Sequence, residues 1–202
     1  MINAETFLAN LHNSDSSLLA AQHLESRDYP ELPFSVVQAL NRRWRIAPVL
    51  SHSIAASVRR TMACVPTSDP SRLVPIARKH PDCNWAVQTG NGLLILEVNT
   101  ELGLPSLRNL CRNTWEWRET LRFRSGAVQF FAFHYVGRRV RFLGTRFPGL
   151  KSHWNGSAVL LPPSWFVFGP PVSYVSEIEA TVLDAPSWLL EGIHPQQQNV
   201  RP

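Results

Sequence analysis

The chain has 202 residues, 44% hydrophobic and 17% charged, with a formal net charge of +5. That is enough apolar chain to bury one compact core, which excludes a disordered tail and a disulfide mini-protein. No apolar run approaches the roughly 18 to 20 residues of a membrane helix, and the start, MINAETFLANLHNSDSS, lacks the basic and apolar regions of a signal peptide; a cytoplasmic protein with no membrane partner is expected.

Residues 4–12 and 16–24 have helical spacing, with Phe7, Leu8 and Leu11 in the first and Leu18, Leu19 and Ala20 in the second. A turn-rich link ending at Pro33 leads to an amphipathic helix over residues 34–43 and a short strand over 44–49. Residues 51–68 carry no clear period. Asp69 then caps a helix over residues 70–79, begun by Pro70 and ended by His80-Pro81. Residues 84–89 and 93–98 read as apolar strands joined by Gly90-Asn91-Gly92, whose Asn-Gly step signals a β-hairpin. The second is apolar up to Glu97, so it should be a central, buried strand whose end emerges at a cleft.

A short helix follows at residues 104–111, then strands at 120–124, 128–136, 140–143 and 158–161, the last stopped by Pro162-Pro163-Ser164. Phe123, Phe130, Phe131 and Phe133 are expected in the core, because strands flanking a cleft must bury one face. Residues 188–190 close the domain helically, and 195–202 form a polar tail. The pattern is α+β, divided into a helical appendage at 1–33, a domain at 34–194 and a flexible tail.

Charge is unevenly placed. Residues 1–33 carry Glu5, Asp15, Glu25, Asp28 and Glu31 against Arg27 alone, a net of −4. Residues 108–146 carry nine arginines against Glu116 and Glu119, a net of +7. Arginine's planar fork suits phosphate, so a polyanionic partner is one reading; arginines that only solvate strand faces are the other. Trp115 and Trp117, beside Arg112, Arg118, Arg122 and Arg124, are placed either to stack bases or to pack the core. Cys64, Cys83 and Cys111 are odd in number and widely spaced, so they read as buried small apolar residues rather than bridges or zinc ligands.

A series of short signatures resembles the bifunctional DNA primase/polymerase (prim-pol) family of the archaeo-eukaryotic primase superfamily. They run from Thr67-Ser68-Asp69 through Pro81-Asp-Cys-Asn84-Trp-Ala-Val87 and Thr89-Gly90 to Gly92-Leu93 and Glu97-Val98-Asn99, with Gly103 and Leu107 beyond. Ser125-Gly126, Pro148-Gly149, the stretch Gly156-Ser-Ala-Val-Leu-Leu-Pro-Pro-Ser164 and Ala185-Pro-Ser-Trp188 follow in the family's order. The resemblance covers about two thirds of the chain. It implies a mixed sheet domain with flanking helices, and a DNA primase/polymerase activity in which three acidic side chains hold two divalent cations.

The sequence departs from that pattern at each position the chemistry needs. Glu97 and Asn99 stand where the family's first two acids would, and Lys151 where the third would. Gln129 stands at the triphosphate-binding histidine beyond Ser125 and Gly126, and His153 at the basic position after the third acid. No Asp or Glu lies between Glu119 and Glu177, so a shifted alignment does not restore the third carboxylate. The formal charge at the three acid positions is zero instead of −3. A unit charge pair at about 4 Å is worth roughly 4 kcal/mol at an effective dielectric near 20, so exchanging an attracting carboxylate for a repelling ammonium should abolish binding of both cations. A salt bridge between Glu97 and Lys151 is expected in their place.

The first reading is therefore a catalytically inactive prim-pol-like domain, a nucleic-acid or nucleotide-binding accessory module in DNA replication. Its nucleotide group would be Ser125, Gly126, Gln129 and His153, and its nucleic-acid group Arg112, Arg118, Arg122, Arg124, Arg138 and Arg139. Single-stranded DNA or RNA, a nucleotide and a replication protein such as a helicase are the expected partners, with no cofactor. A divergent active polymerase using Glu97, and a protein-interaction module with a filled cleft, are the alternatives.

Overall fold

The computed structural model describes residues 24–50, 62–111, 116–136, 140, 143, 146–165, 170–174 and 180–190. The predicted helices at 4–12 and 16–24 lie outside them except for Leu24, and so does the tail. Chain order is α1 (Phe34–Asn41), β1 (Arg45–Val49), α2 (Pro70–Lys79), β2 (Asn84–Gln88), β3 (Leu93–Asn99), α3 (Gly103–Cys111), β4 (Arg122–Ser125), β5 (Val128–His134), β6 (Leu150–His153), β7 (Ala158–Leu161), β8 (Val172–Tyr174) and β9 (Leu183–Asp184). The α+β expectation is met.

Local chemistry accounts for the boundaries. Asp69 Oδ1 accepts the Ser71 N–H at 2.9 Å, and Pro70 occupies the first helical position of α2, where a missing N–H costs nothing. The link before α1 packs onto the domain: Leu32 is buried, and the Asn41 side chain hydrogen-bonds both backbone groups of Leu24.

Two sheets result. The smaller runs β1-β2-β7; the larger runs β6-β3-β5-β4-β8, with β9 parallel to β5. This corrects the hairpin expected between β2 and β3. The turn itself is present: Asn91 and Gly92 both have positive φ (49° and 94°), and Gly90 and Leu93 exchange backbone hydrogen bonds. Beyond that bridge the strands part, because β2 pairs with β1 and β7 while β3 pairs with β5 and β6. An Asn-Gly step dictates the reversal of the chain, whereas long-range partners decide what each strand pairs with.

The expected strand at 140–143 is also corrected among its described residues: Val140 makes an isolated bridge to Leu190 and Leu143 is buried outside any strand. β4 begins at Arg122 rather than residue 120, since the Thr120 hydroxyl donates to the Ala132 carbonyl and accepts from Leu183 N–H.

Strand β3 divides the core. Leu93 and Ile95 face the smaller sheet, joining Phe123, Ala132, Trp85 and Val159. Leu94, Leu96 and Val98 face α3, joining Leu107, Leu110, Phe131 and Phe133. Burying one such leucine contributes roughly 1.5–3 kcal/mol, so both layers hold the strand in register. Phe123, Phe131 and Phe133 are buried as expected; Phe130 is only partly buried and stacks on Phe123 with centroids 5.0 Å apart. Of the cysteines only Cys111 is fully buried; Cys64 and Cys83 are intermediate.

Candidate functional site at the end of the central strand

Side chains alternate across a strand, so Glu97 and Asn99 project from the same side of β3 as Ile95, toward the smaller sheet. The register sets Phe130 of β5 directly opposite Glu97 on one flank and Lys151 of β6 opposite it on the other. His153 of β6 lies opposite Ile95, on that same side. Thus Glu97, Asn99, Lys151 and His153 are brought together.

The partner of Glu97 is His153. Nε2 of His153 donates to Glu97 Oε2 at 2.6 Å, with the two side chains only 8% and 30% exposed. Lys151, exposed at the surface, is not within bonding distance, which corrects the salt bridge expected between it and Glu97. The physical reason is solvation: an ammonium on a flexible stem keeps its water, whereas an imidazole is cheap to bury and reaches the carboxylate from two residues away. Burial alone would raise the Glu97 carboxyl, but the His153 hydrogen bond and the charges of His153 and Lys151 together hold it below its ordinary value.

Asn99 is also engaged. Its Oδ1 accepts the N–H groups of Glu101 and Leu102 at 3.0 and 3.1 Å, an Asx turn that starts the chain into α3. The loop before β6 is pinned against that turn. Asn99 N–H donates to the Gly149 carbonyl, and a Cβ built on Gly103 would stand 2.5 Å from the same oxygen. Gly149, at φ +76°, is equally crowded by the Gly103 backbone. Only glycines permit this approach, and it fixes the height of Lys151 and His153 beside Glu97.

The expected nucleotide group is divided. Ser125 Oγ donates to the Pro170 carbonyl at 3.0 Å, and the Pro170 ring lies where a Cβ on Gly126 would be, at 2.8 Å. Gln129 pairs with Val98 and Arg124, so it projects from the α3 side of the sheet, away from Glu97. His153 is held by Glu97.

The expected nucleic-acid group lies on the α3 side where it is described. Arg122 and Arg124 are opposite Phe131 and Gln129 on that side, and Arg118 lies over the Trp117 ring at 5.5 Å. Trp117 is buried, edge-on to Phe131 and Trp188, so it packs the core and has no face for a base. Arg112, Trp115, Arg138 and Arg139 lie outside the described residues.

What sequence reasoning missed is that Glu97, Asn99 and Ser125 already have internal partners. The Asx turn was open to prediction from Asn99 two residues before Glu101. The His153 pairing and the Pro170 cover depend on β3–β6 and β4–β8 register, for which no local signal exists.

Two divalent cations need several anionic oxygens converging on them. The group offers one carboxylate with a histidine donating to it, a carboxamide oxygen engaged in a turn, and an ammonium beside them; these residues do not fit the pair. Among the described residues no three of His, Cys, Asp and Glu are grouped to hold a metal ion. Nor is any helix there long and apolar enough to cross a membrane.

The model of the Prim-Pol family, described as bifunctional DNA primase/polymerase, N-terminal, matches residues 37–188. No curated protein matches the chain.

Proposed function

Since the chain belongs to the bifunctional DNA primase/polymerase N-terminal family, we propose that it is a non-polymerising member, a nucleic-acid or nucleotide-binding accessory module in DNA replication. The observation that carries this reading is the 2.6 Å hydrogen bond from His153 to Glu97. The one carboxylate left at the family's acid positions is engaged by an internal donor, with the Lys151 ammonium beside it. A metal ion approaching Glu97 would find one of its two carboxylate oxygens already engaged by His153 and would meet the Lys151 charge.

Binding is assigned to the other side of the sheet. Arg124 is exposed and Arg122 half-buried on the α3 side of β4, with Arg118 just before that strand, and arginine forks suit phosphate oxygens. Affinity for single strands should then fall steeply with salt, since each neutralised phosphate releases counterions.

The test is template-dependent incorporation of deoxynucleotides by the purified chain with magnesium or manganese. No incorporation is expected. Incorporation that Glu97→Ala abolishes would refute the non-polymerising reading and establish a divergent polymerase instead.

A further inference from the structure

At the opposite end of β3 from Asn99, the ends of β1, β2, β5 and β6 surround a cavity of about 320 Å³. Its walls include Arg45, Gln88, Tyr135, Trp154 and Gly156. Leu93, where β3 begins, is roughly 13 Å along the strand from Glu97, so this is a separate place in the fold.

The cavity is built by backbone approach. Gly156 N–H donates to the Thr89 carbonyl and Thr89 N–H to the Ser157 carbonyl, at 3.0 and 2.8 Å. Gly90 has φ +90°, and a Cβ there would stand 3.1 Å from the Trp154 carbonyl oxygen. The turn at residues 90–93 and the loop after β6 can therefore close over the end of the smaller sheet.

Three chemistries meet in it. Trp154 and Tyr135 present a half-buried aromatic pair, edge to face with centroids 6.3 Å apart. Arg45 is held in place by Nε and Nη2, which both donate to the Pro66 carbonyl, and a guanidinium has five N–H donors in all. The Gln88 carboxamide oxygen is buried without any hydrogen-bond partner, a cost the fold retains without structural return. Turning about its terminal bond presents a donor and an acceptor side by side, the pattern that matches a nucleobase edge.

We propose that this cavity is a binding site for one nucleobase with its phosphate. The base lies against Trp154, its edge is read by Gln88, and the phosphate is met by Arg45. The choice of ligand class rests on the family reading above, while the site itself is independent of Glu97. Such a ligand has two sources, a free nucleotide or the end of a nucleic-acid strand.

Calorimetric titration of the full chain with dAMP, with deoxyadenosine and with a short oligo(dA) tests the proposal. Saturable 1:1 binding is expected, weakened at least tenfold by Trp154→Ala and by Gln88→Met. Since Gln88→Met removes an unpaired buried carboxamide oxygen, its Tm should not fall, which separates lost binding from lost fold. Trp154→Phe should retain much of the affinity should the alanine variant fail to fold. Arg45→Gln should weaken dAMP and leave deoxyadenosine unchanged. Equal affinity for dAMP and oligo(dA) identifies a free nucleotide as the source; stronger oligo(dA) binding that still falls in both pocket variants identifies a strand end. Absence of binding by all three probes, or binding indifferent to Gln88→Met and Trp154→Ala alike, overturns the site. Polymerase activity of the chain bears on the other proposal alone, so the two fail separately.

Discussion

Leu94, Leu96 and Val98 on one side of β3, and Ile95, Glu97 and Asn99 on the other, share one backbone and separate two kinds of surface. Toward α3 the strand is wholly apolar and sealed by Leu107, Leu110, Phe131 and Phe133. Toward the smaller sheet the apolar packing ends at Ile95, and the last two outward positions are polar. That polar end is where the family's chemistry would lie, and here it is knitted into the fold: Glu97 to His153, Asn99 to the turn, Ser125 to Pro170. The difference teaches that polar side chains at such a strand end can be engaged within the fold, by a neighbouring side chain or by backbone groups, while the opposite side of the same strand is sealed by apolar packing.

The comparison breaks most severely at the one point that joins its halves. Gly149→Ala places a methyl against the Gly103 backbone at φ +76°, where neither neighbour is a side chain that can turn aside. Overpacking of this kind should cost roughly 3 kcal/mol, read as a lowered urea midpoint with unchanged m-value. A loss below half of that would mean the contact is looser than described.

Next in size is the polar pair. His153→Ala leaves a largely buried carboxylate without its donor, and should cost about 2 kcal/mol. In a double-mutant cycle with Glu97→Leu, most of that loss should appear as coupling, whereas additive losses would show that the hydrogen bond contributes little.

Acid sharpens the contrast further. The folded Glu97 pKa lies below the ordinary value, so the unfolded chain takes up that proton first as pH falls. Its stabilisation is fully present above about pH 4.5 and is lost as pH drops through the lower folded value. The stability difference between wild type and Glu97→Gln should therefore shrink below about pH 4. A difference that grows on acidification has the wrong sign for this account.

The smallest effect is on the arginine rim. Arg124 is exposed on the α3 side, and Arg124→Gln should leave folding within about 0.5 kcal/mol. It should lower the salt slope of single-strand binding by about 0.7 for the one phosphate contact removed. An unchanged slope would take Arg124 out of the interface.

Much of the fold was legible because its signals are local. Asp69-Pro70 starts α2, the apolar run from Leu93 marks a central strand, and Asn91-Gly92 marks a reversal. The pairing of β2 with β1 and β7 was not legible, since a turn signal says nothing about which neighbours lie beyond it. The same limit applied to the site. Motif order located Glu97, Asn99, Lys151 and His153, and the register brought all four together. Counting residues from Ser125 placed Gln129 in the same group, but a strand's alternation depends on β3–β5 register, which sets Gln129 on the far side. Choosing His153 over Lys151 as the partner of Glu97 required knowing which of them is buried.

The account turns on whether residue 97 and its neighbours can retain a pair of divalent ions. Anomalous scattering from crystals soaked with manganese and a deoxynucleoside triphosphate is the direct measurement. No manganese peak beside Glu97, with the His153 hydrogen bond intact, is the predicted result; two peaks bridging Glu97 and the triphosphate would contradict it.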